Sequence, residues 1–408
     1  MGKDWPAVSY EAHPWTRLPA YGVSRARLRR HSQPYQAAVL SPIATLPIRL
    51  DAAVLAEAEE ATTAIARFDA GLSHAFGDGD HANTLGEIGP LSALLLRTES
   101  ASSSRIEHVD ADARQLALAE IGAASSPDAR LVVRNVEAMR AALALADSLD
   151  ADALLTLHRT LLGDTDPRGA GRWRSEQVWV GGSSYGPHDA EFVPPHHTRV
   201  EASIDDLVRF VRRDDVPVMA QVAIAHAQFE TIHPFTDGNG RTGRALIHAM
   251  LRSKAVTERV SVPISSGLVG EPRRYFAALG SYRDGDPAPV VAELAAATLR
   301  AVDNGRRLVA DLVGLRARWA ERVVARRHAA VHRMPAVLVR HPALDNALVA
   351  RELGVSDVAA QGAIDRLVEA GVLVQVGSGA RNRVWQCPEV IDALDAFAAR
   401  AARRPTRG

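Results

Sequence analysis

His233-Pro-Phe-Thr-Asp-Gly-Asn-Gly-Arg-Thr-Gly-Arg244 is the stretch on which the reading of this 408-residue chain turns. Before it, Val218, Met219, Val222, Ala225 and Phe229 recur at helical spacing up to Thr231; after it, Arg244 to Leu251 does the same. A loop therefore joins two helices. Gly238, Asn239 and Gly240 let successive backbone N–H groups turn inward and meet the dipole of the following helix. That makes an anion nest, and phosphate is its natural occupant. Arg241 and Arg244 share a face of the helix and add two forked donors, which suits a nucleoside polyphosphate better than a carboxylate. Asp237 is a hard oxygen ligand placed to hold Mg2+, whose other ligands would be phosphates and water. His233 stands where a general base would work next to the phosphate under attack.

Three other readings of the same letters carry less. Gly238-x-Gly240-x-x-Gly243 matches a dinucleotide-binding string, but that motif follows a strand and here a helix precedes it. Asp237-Gly-Asn239 opens like a calcium loop, yet Thr242 occupies the position that needs glycine and His248 the one that needs glutamate. A plain glycine-rich turn explains the glycines alone; it does not explain His, Asp, Asn and two Arg in register.

Working outward, residues 1 to about 50 lack periodicity and read as an irregular arm, followed by a helix from Asp51 to the Gly77 and Gly79 cluster. A second helix is expected to begin after Gly89-Pro90, with helical stretches to Glu120, from Ala129 to Leu149 and from Ala151 to Leu162. Gln177 to Val180, then Gly181-Gly182-Ser183-Ser184, then Phe192-Val193 before two prolines, predicts a short β-hairpin. Helices over Tyr275 to Leu279 and Pro289 to about His332 follow. From Pro335 the pattern of two short helices about Gly354-Val355, then Val372 to Val376 and Arg383-Val384-Trp385, resembles a winged helix-turn-helix. The fold class expected is mainly α. The serial division is an N-terminal arm and helix over 1–85, a core over 86–300, a connecting helix over 301–334 and a winged-helix-like module over 335–408.

Composition narrows the function. Lys plus Arg and Asp plus Glu both number 48, so no global field draws the chain towards nucleic acid or an anionic membrane. Over 334–408 nine Arg face eight acidic residues, a weak footprint for DNA, although Arg340, Arg351, Arg381, Arg383 and the tail Arg400, Arg403, Arg404 and Arg407 leave that contact open. The single cysteine, Cys387, excludes an intrachain disulfide and any multi-cysteine metal site, and a cytoplasmic setting fits. No apolar run approaches the ~20 residues needed to cross a bilayer, so no membrane role is expected.

The 233–244 string fits the Fic-domain signature H-x-F-x-[D/E]-G-N-G-R-x-x-R at every defined position, and the chain resembles that family over roughly residues 35 to 300. The resemblance implies a helical core with a β-hairpin flap, about 177–195, that transfers AMP from ATP to a Ser, Thr or Tyr hydroxyl of a protein. By position it implies that His233 takes the hydroxyl proton and Asp237 holds Mg2+. Gly238, Asn239, Gly240, Arg241 and Arg244 would grip the phosphates, with Tyr275 downstream in the nucleotide site. Val178, Val180, Phe192 and Val193 would dock the target as an added strand. Ser103 and Glu107, in Ser103-Ser104-Arg105-Ile106-Glu107, resemble the family's inhibitory helix, here about 98–108. Its glutamate would pair with Arg244 and spoil the γ-phosphate site; His108 stands where that pattern has Gly or Asn. Alternatives left open are another nucleotide, AMP removal assisted by Glu107, and a nucleotide-sensing DNA-binding regulator. Self-modification and a homodimer are open too.

Overall fold

The computed structural model describes residues 5–15, 29, 31–75, 81–123, 126–183, 185–326, 329–377 and 381–403, with the backbone alone for 73–75 and 81–88. Gly77, Gly79, Ser184, Arg404 and Arg407, named above, lie outside the described residues. In chain order the elements are β1 (Ser9–His13), β2 (Tyr35–Val39), α1 (Ala52–Ala75), α2 (His81–Ile106), α3 (Ala113–Glu120), α4 (Pro127–Ala144), α5 (Ala151–Leu162), α6 (Val200–Val211), α7 (Val218–Ile232) and α8 (Asn239–Ser253). There follow α9 (Ile264–Val269), α10 (Pro272–Arg283), α11 (Ala288–Arg322), α12 (Met334–Arg340), β3 (Ala343–Asp345), α13 (Asn346–Leu353), α14 (Asp357–Glu369), β4 (Val374–Val376), β5 (Val384–Gln386) and α15 (Pro388–Ala402). The fold is mainly helical. Its two units are each built from separated stretches, Met1–Glu60 with Ala141–Ser253 and Arg273–Ala295, and Ala61–Arg140 with Lys254–Pro272 and Ala296–Gly408. The serial boundaries expected from the sequence do not follow that division.

In the first unit α7 is buried from Met219 through Ile232, as a helix apolar on every face must be. Its polar side chains are spent on neighbours, because a buried polar group without a partner is costly. Gln221 donates to the carbonyls of Phe210, Val211 and Arg213, capping the end of α6 at 2.8 to 3.0 Å. Gln228 accepts from the Tyr282 hydroxyl of α10 at 2.8 Å. Asp206 on α6 accepts from the amides of Ile43 and Ala44. Within the described part of the N-terminal arm, expected to be irregular, β1 and β2 pair antiparallel, from Ser9 opposite Val39 to His13 opposite Tyr35. Two five-residue strands more than twenty residues apart are too distant for a hairpin turn to connect them, which is why the pairing is invisible to a local reading.

In the second unit α2 runs through Pro90 rather than starting after it. The proline forfeits one helical hydrogen bond, and the helix continues because Leu91, Leu94 and Leu95 beyond it are fully buried. Glu99 of α2 accepts from the Ser265 amide at 2.8 Å and from its hydroxyl, and Asp69 of α1 accepts from the amides of Glu258, Arg259 and Val260. α11 stops at Arg322, ten residues short of the expected end; Trp319 and Arg322 both donate to Glu389 at 2.6 Å there. Towards the C-terminus Asp345 and Ser356 cap α13 and α14, and β3, β5 and β4 form an antiparallel sheet in that order.

Candidate active site

The loop between α7 and α8 begins where α7 ends. His233 closes that helix in the left-handed region (φ 49°, ψ 61°), its amide donating to the Phe229 carbonyl at 2.9 Å. A non-glycine residue there costs of order 1 kcal/mol and persists only where its surroundings over-determine it. The surroundings are visible. Phe235, fully buried, stacks on His158 of α5 with ring centroids 3.7 Å apart and on Trp173 at 5.1 Å. The Asn239 side chain brackets Phe235, accepting from its amide and donating to its carbonyl, both at 2.9 Å. Expected as a phosphate ligand, that side chain is engaged in holding the loop.

Asp237 is the outward element of the loop, its side chain 71% exposed. One of its oxygens accepts from the Gly238 amide at 2.6 Å and lies 3.4 Å from Arg241. Gly238 has φ +74°, which a side chain would oppose, and it turns the chain into α8. The first amides of α8 point out of the helix without intrahelical partners, so an anion bound there meets N–H donors and the positive end of the dipole. Arg241 and Arg244 are both buried. Gly243 between them lets α8 approach α7: a Cβ there would sit 2.4 Å from the Glu230 carboxylate and 2.9 Å from the Phe229 ring.

His158 fixes its own tautomer. Nδ1 accepts from the Gly171 amide at 2.9 Å, so Nε2 carries the proton and donates to the Asp237 carbonyl at 3.0 Å. Burial, the main influence, holds this imidazole below the ordinary histidine range. The unfolded chain therefore binds the proton first, and stability from His158 is present above pH ~6.5 and lost as pH falls below it. His158→Gln should cost about 2 to 3 kcal/mol at pH 8, from the ring stack and two buried bonds. The gap to wild type, read from denaturant midpoints, should narrow at pH 5.5. A gap that is constant or widens in acid would show that His158 is not held neutral.

Arg174 is a functional candidate the sequence reading missed. It is buried, donates from Nε to the His233 carbonyl at 2.8 Å and from Nη1 to the Glu176 carbonyl at 3.0 Å, and reaches the Pro195 carbonyl through Nη2. Nothing in Gly-Arg-Trp-Arg-Ser marks it, since its partners are main-chain carbonyls, two of them, at Pro195 and His233, far along the chain.

The flap is less of a hairpin than expected. A single antiparallel bridge, Val180 with Phe192, replaces two strands, and a 3-10 turn spans Pro187–Asp189. Pro194 and Pro195 have no N–H to extend a ladder, and the Val193 carbonyl accepts from Ala38 of β2 at 3.0 Å. Phe192 and Val193 point inward, Phe192 beneath the Arg283 guanidinium, while Val178 and Val180 are half-buried. So of the four expected docking residues, two are packed inside. Tyr275 is also inside, 2% exposed with its hydroxyl 2.8 Å from His226 Nε2.

Ser103 and Glu107 belong to the second unit. Ser103 is buried and Glu107 is exposed just beyond the end of α2. His108 adopts φ 61°, with its amide on the Arg105 carbonyl and the Val109 amide on the Ser104 carbonyl. This is the helix-ending geometry that usually calls for glycine or asparagine, here taken by histidine.

A helical unit organised about an anion-accepting interhelical loop is the class these features define. Residues 148–251 match the model of the Fic/DOC family, so the chain carries a Fic/DOC domain. The chain is 32% identical over 148 residues to protein adenylyltransferase fic-1 of Caenorhabditis elegans, covering 36% of this chain and 26% of that one. It is 30% identical over 161 residues to protein adenylyltransferase Fic of Nematostella vectensis, covering 39% and 34%. The matched part thus spans only about a quarter to a third of those relatives. The crystal structure of a Fic family protein from Desulfovibrio desulfuricans superposes with a TM-score of 0.51 at 19% identity, over 84% of this chain and 97% of that one, a likeness of fold. Among the described residues no helix is long and apolar enough to cross a membrane.

Proposed function

We propose that the chain is a protein adenylyltransferase, moving AMP from ATP to a Ser, Thr or Tyr hydroxyl of a protein target. The observation that carries the reading is the placement of His233 at the end of α7, a few residues before the exposed Asp237 carboxylate and the anion-accepting start of α8. The curated relatives named adenylyltransferases support it. The hydroxyl oxygen bonds to the α-phosphorus as the bond to the bridging oxygen breaks; pyrophosphate leaves, and His233 takes the hydroxyl proton. The N–H groups of α8, with Arg241 and Arg244, stabilise charge growing on the leaving pyrophosphate.

Mg2+ fits the residues present. Among the described residues no three His, Cys, Asp or Glu converge on a metal site, and an ion taking one exposed carboxylate and otherwise phosphate and water needs none. Asp237 would hold it, and it would supply neutralisation of phosphate charge. Asp237→Ala should raise the Mg2+ concentration for half-maximal transfer several-fold, while nucleotide binding without metal stays unchanged. Magnesium titrations that superimpose on wild type would place the ion on other residues.

The direct test incubates the purified chain, as wild type and as Glu107→Gly, with each of the four α-labelled nucleoside triphosphates and Mg2+, adding a protein lysate. Label from ATP on protein is expected, more strongly with Glu107→Gly; label from none of the four with either protein sinks the reading. We further propose that Glu107 restrains the site by neutralising Arg244. Residues 335–408 are read as a winged-helix-like module for protein contact. Arg340 pairs with Glu352, and Arg383 lies over Trp385 and donates to Gln361, so two of the arginines offered for DNA are engaged within the module.

A further inference from the structure

One guanidinium joins segments that the proposed chemistry needs in register. The Arg174 amide donates to the Pro234 carbonyl at 2.9 Å, and its Nε donates to the His233 carbonyl at 2.8 Å. Nη2 reaches the Ile232 carbonyl at 3.5 Å and the Pro195 carbonyl, and Nη1 the Glu176 carbonyl at 3.0 Å. The side chain thus holds the last carbonyls of α7 and both ends of the flap at once. The α7 carbonyls are the unsatisfied, negative end of a helix, where a cation is favoured. Burial pushes the guanidinium down to about 10, so it stays charged at neutral pH.

The flap is backed separately. The Tyr35 hydroxyl of β2 donates to Gln177 at 3.1 Å, and Gln177 donates to the Pro194 carbonyl at 2.9 Å. Trp15, Tyr35, Trp179 and Val193 pack together behind it. The N-terminal strands therefore fix the flap, and Arg174 connects the fixed flap to His233.

We propose that Arg174 is a positioning residue that sets the His233 imidazole against the flap, so that a hydroxyl delivered along the flap arrives at the base. The proposal rests on the reading of His233 as base and adds the part that aligns it with the target. A planar fork with five donors can serve three segments simultaneously, whereas lysine has one rotatable ammonium and cannot.

The test compares Arg174→Lys and Arg174→Met with wild type by three measurements: kcat with KM for nucleotide, calorimetric nucleotide affinity, and NMR of the histidine side chains. Arg174→Lys is expected to keep nucleotide affinity within about twofold, lose about tenfold in kcat, and shift the His233 ring signals while those of His158 stay in place. Arg174→Met should lose at least as much in kcat. The proposal is overturned if the lysine variant retains kcat within about twofold, or if affinity, kcat and both histidines move together. It is also overturned if neither variant folds, since Arg174 would then serve the fold alone. Wild type and Glu107→Gly both inactive would remove the adenylyltransferase reading instead, and the His233 signals still report whether Arg174 places that ring.

Discussion

His233→Ala is expected to lower AMP transfer by about two to four orders of magnitude, the range a positioned general base contributes. ATP affinity should change less than about twofold. The two halves of the expectation come from different parts of the loop. On the proposed reading phosphate would be held by the amides at the start of α8 and by arginines that do not depend on the imidazole, so binding should survive. Only removal of the hydroxyl proton is lost, and that loss falls on kcat. Alanine also suits the fold poorly, because position 233 is left-handed (φ 49°). His233→Asn tolerates that conformation better and equally lacks a base, so it should be as inactive as alanine while melting closer to wild type. Transfer within about threefold of wild type in either variant, with ATP still bound, would remove the base role from His233. Water or the target itself would then have to accept the proton.

The loop was legible because its chemistry is contiguous and the helices on either side announce themselves by spacing. What surrounds it was not. His158 meets Asp237 across 79 residues and Arg174 meets His233 across 59, in both cases through a main-chain carbonyl. A carbonyl has no letter in the sequence, so such partners leave no pattern to read. Burial is equally silent in the sequence: Tyr275 and Phe192, expected at the site by their position along the string, are packed inside. The flap pairs with itself only at the Val180–Phe192 bridge, and its Val193 carbonyl is satisfied by β2. Helix α6, unassigned from the sequence, presents Val200, Ile204, Leu207 and Phe210 inward, a period obscured by the prolines and histidines before it.

The proposed restraint by Glu107 makes the other large prediction, and its strength lies in an asymmetry. Helix α2 ends at Ile106 with His108 already left-handed, so the glutamate stands at a defined helix end despite the histidine that departs from the family's pattern. If that carboxylate neutralises Arg244, Glu107→Gly should return the charge to a bound γ-phosphate. Label transfer should rise by at least about tenfold, equivalent to ~1.4 kcal/mol of barrier. Glu107→Gln keeps the shape and deletes the charge, and should give most of the same gain. Arg244→Ala removes the same partnership from the other side yet destroys a phosphate ligand, so its activity should fall, and the double variant should stay as low as Arg244→Ala alone. An ion pair that served only stability would behave differently: either single change would lower the melting temperature by an amount set by burial, and neither would raise transfer. The decisive measurement is initial transfer rate for wild type and the four variants at saturating ATP, alongside their melting temperatures. Equal rates for wild type, Glu107→Gly and Glu107→Gln, with melting unaltered, would leave Glu107 as the residue that ends a helix and nothing more.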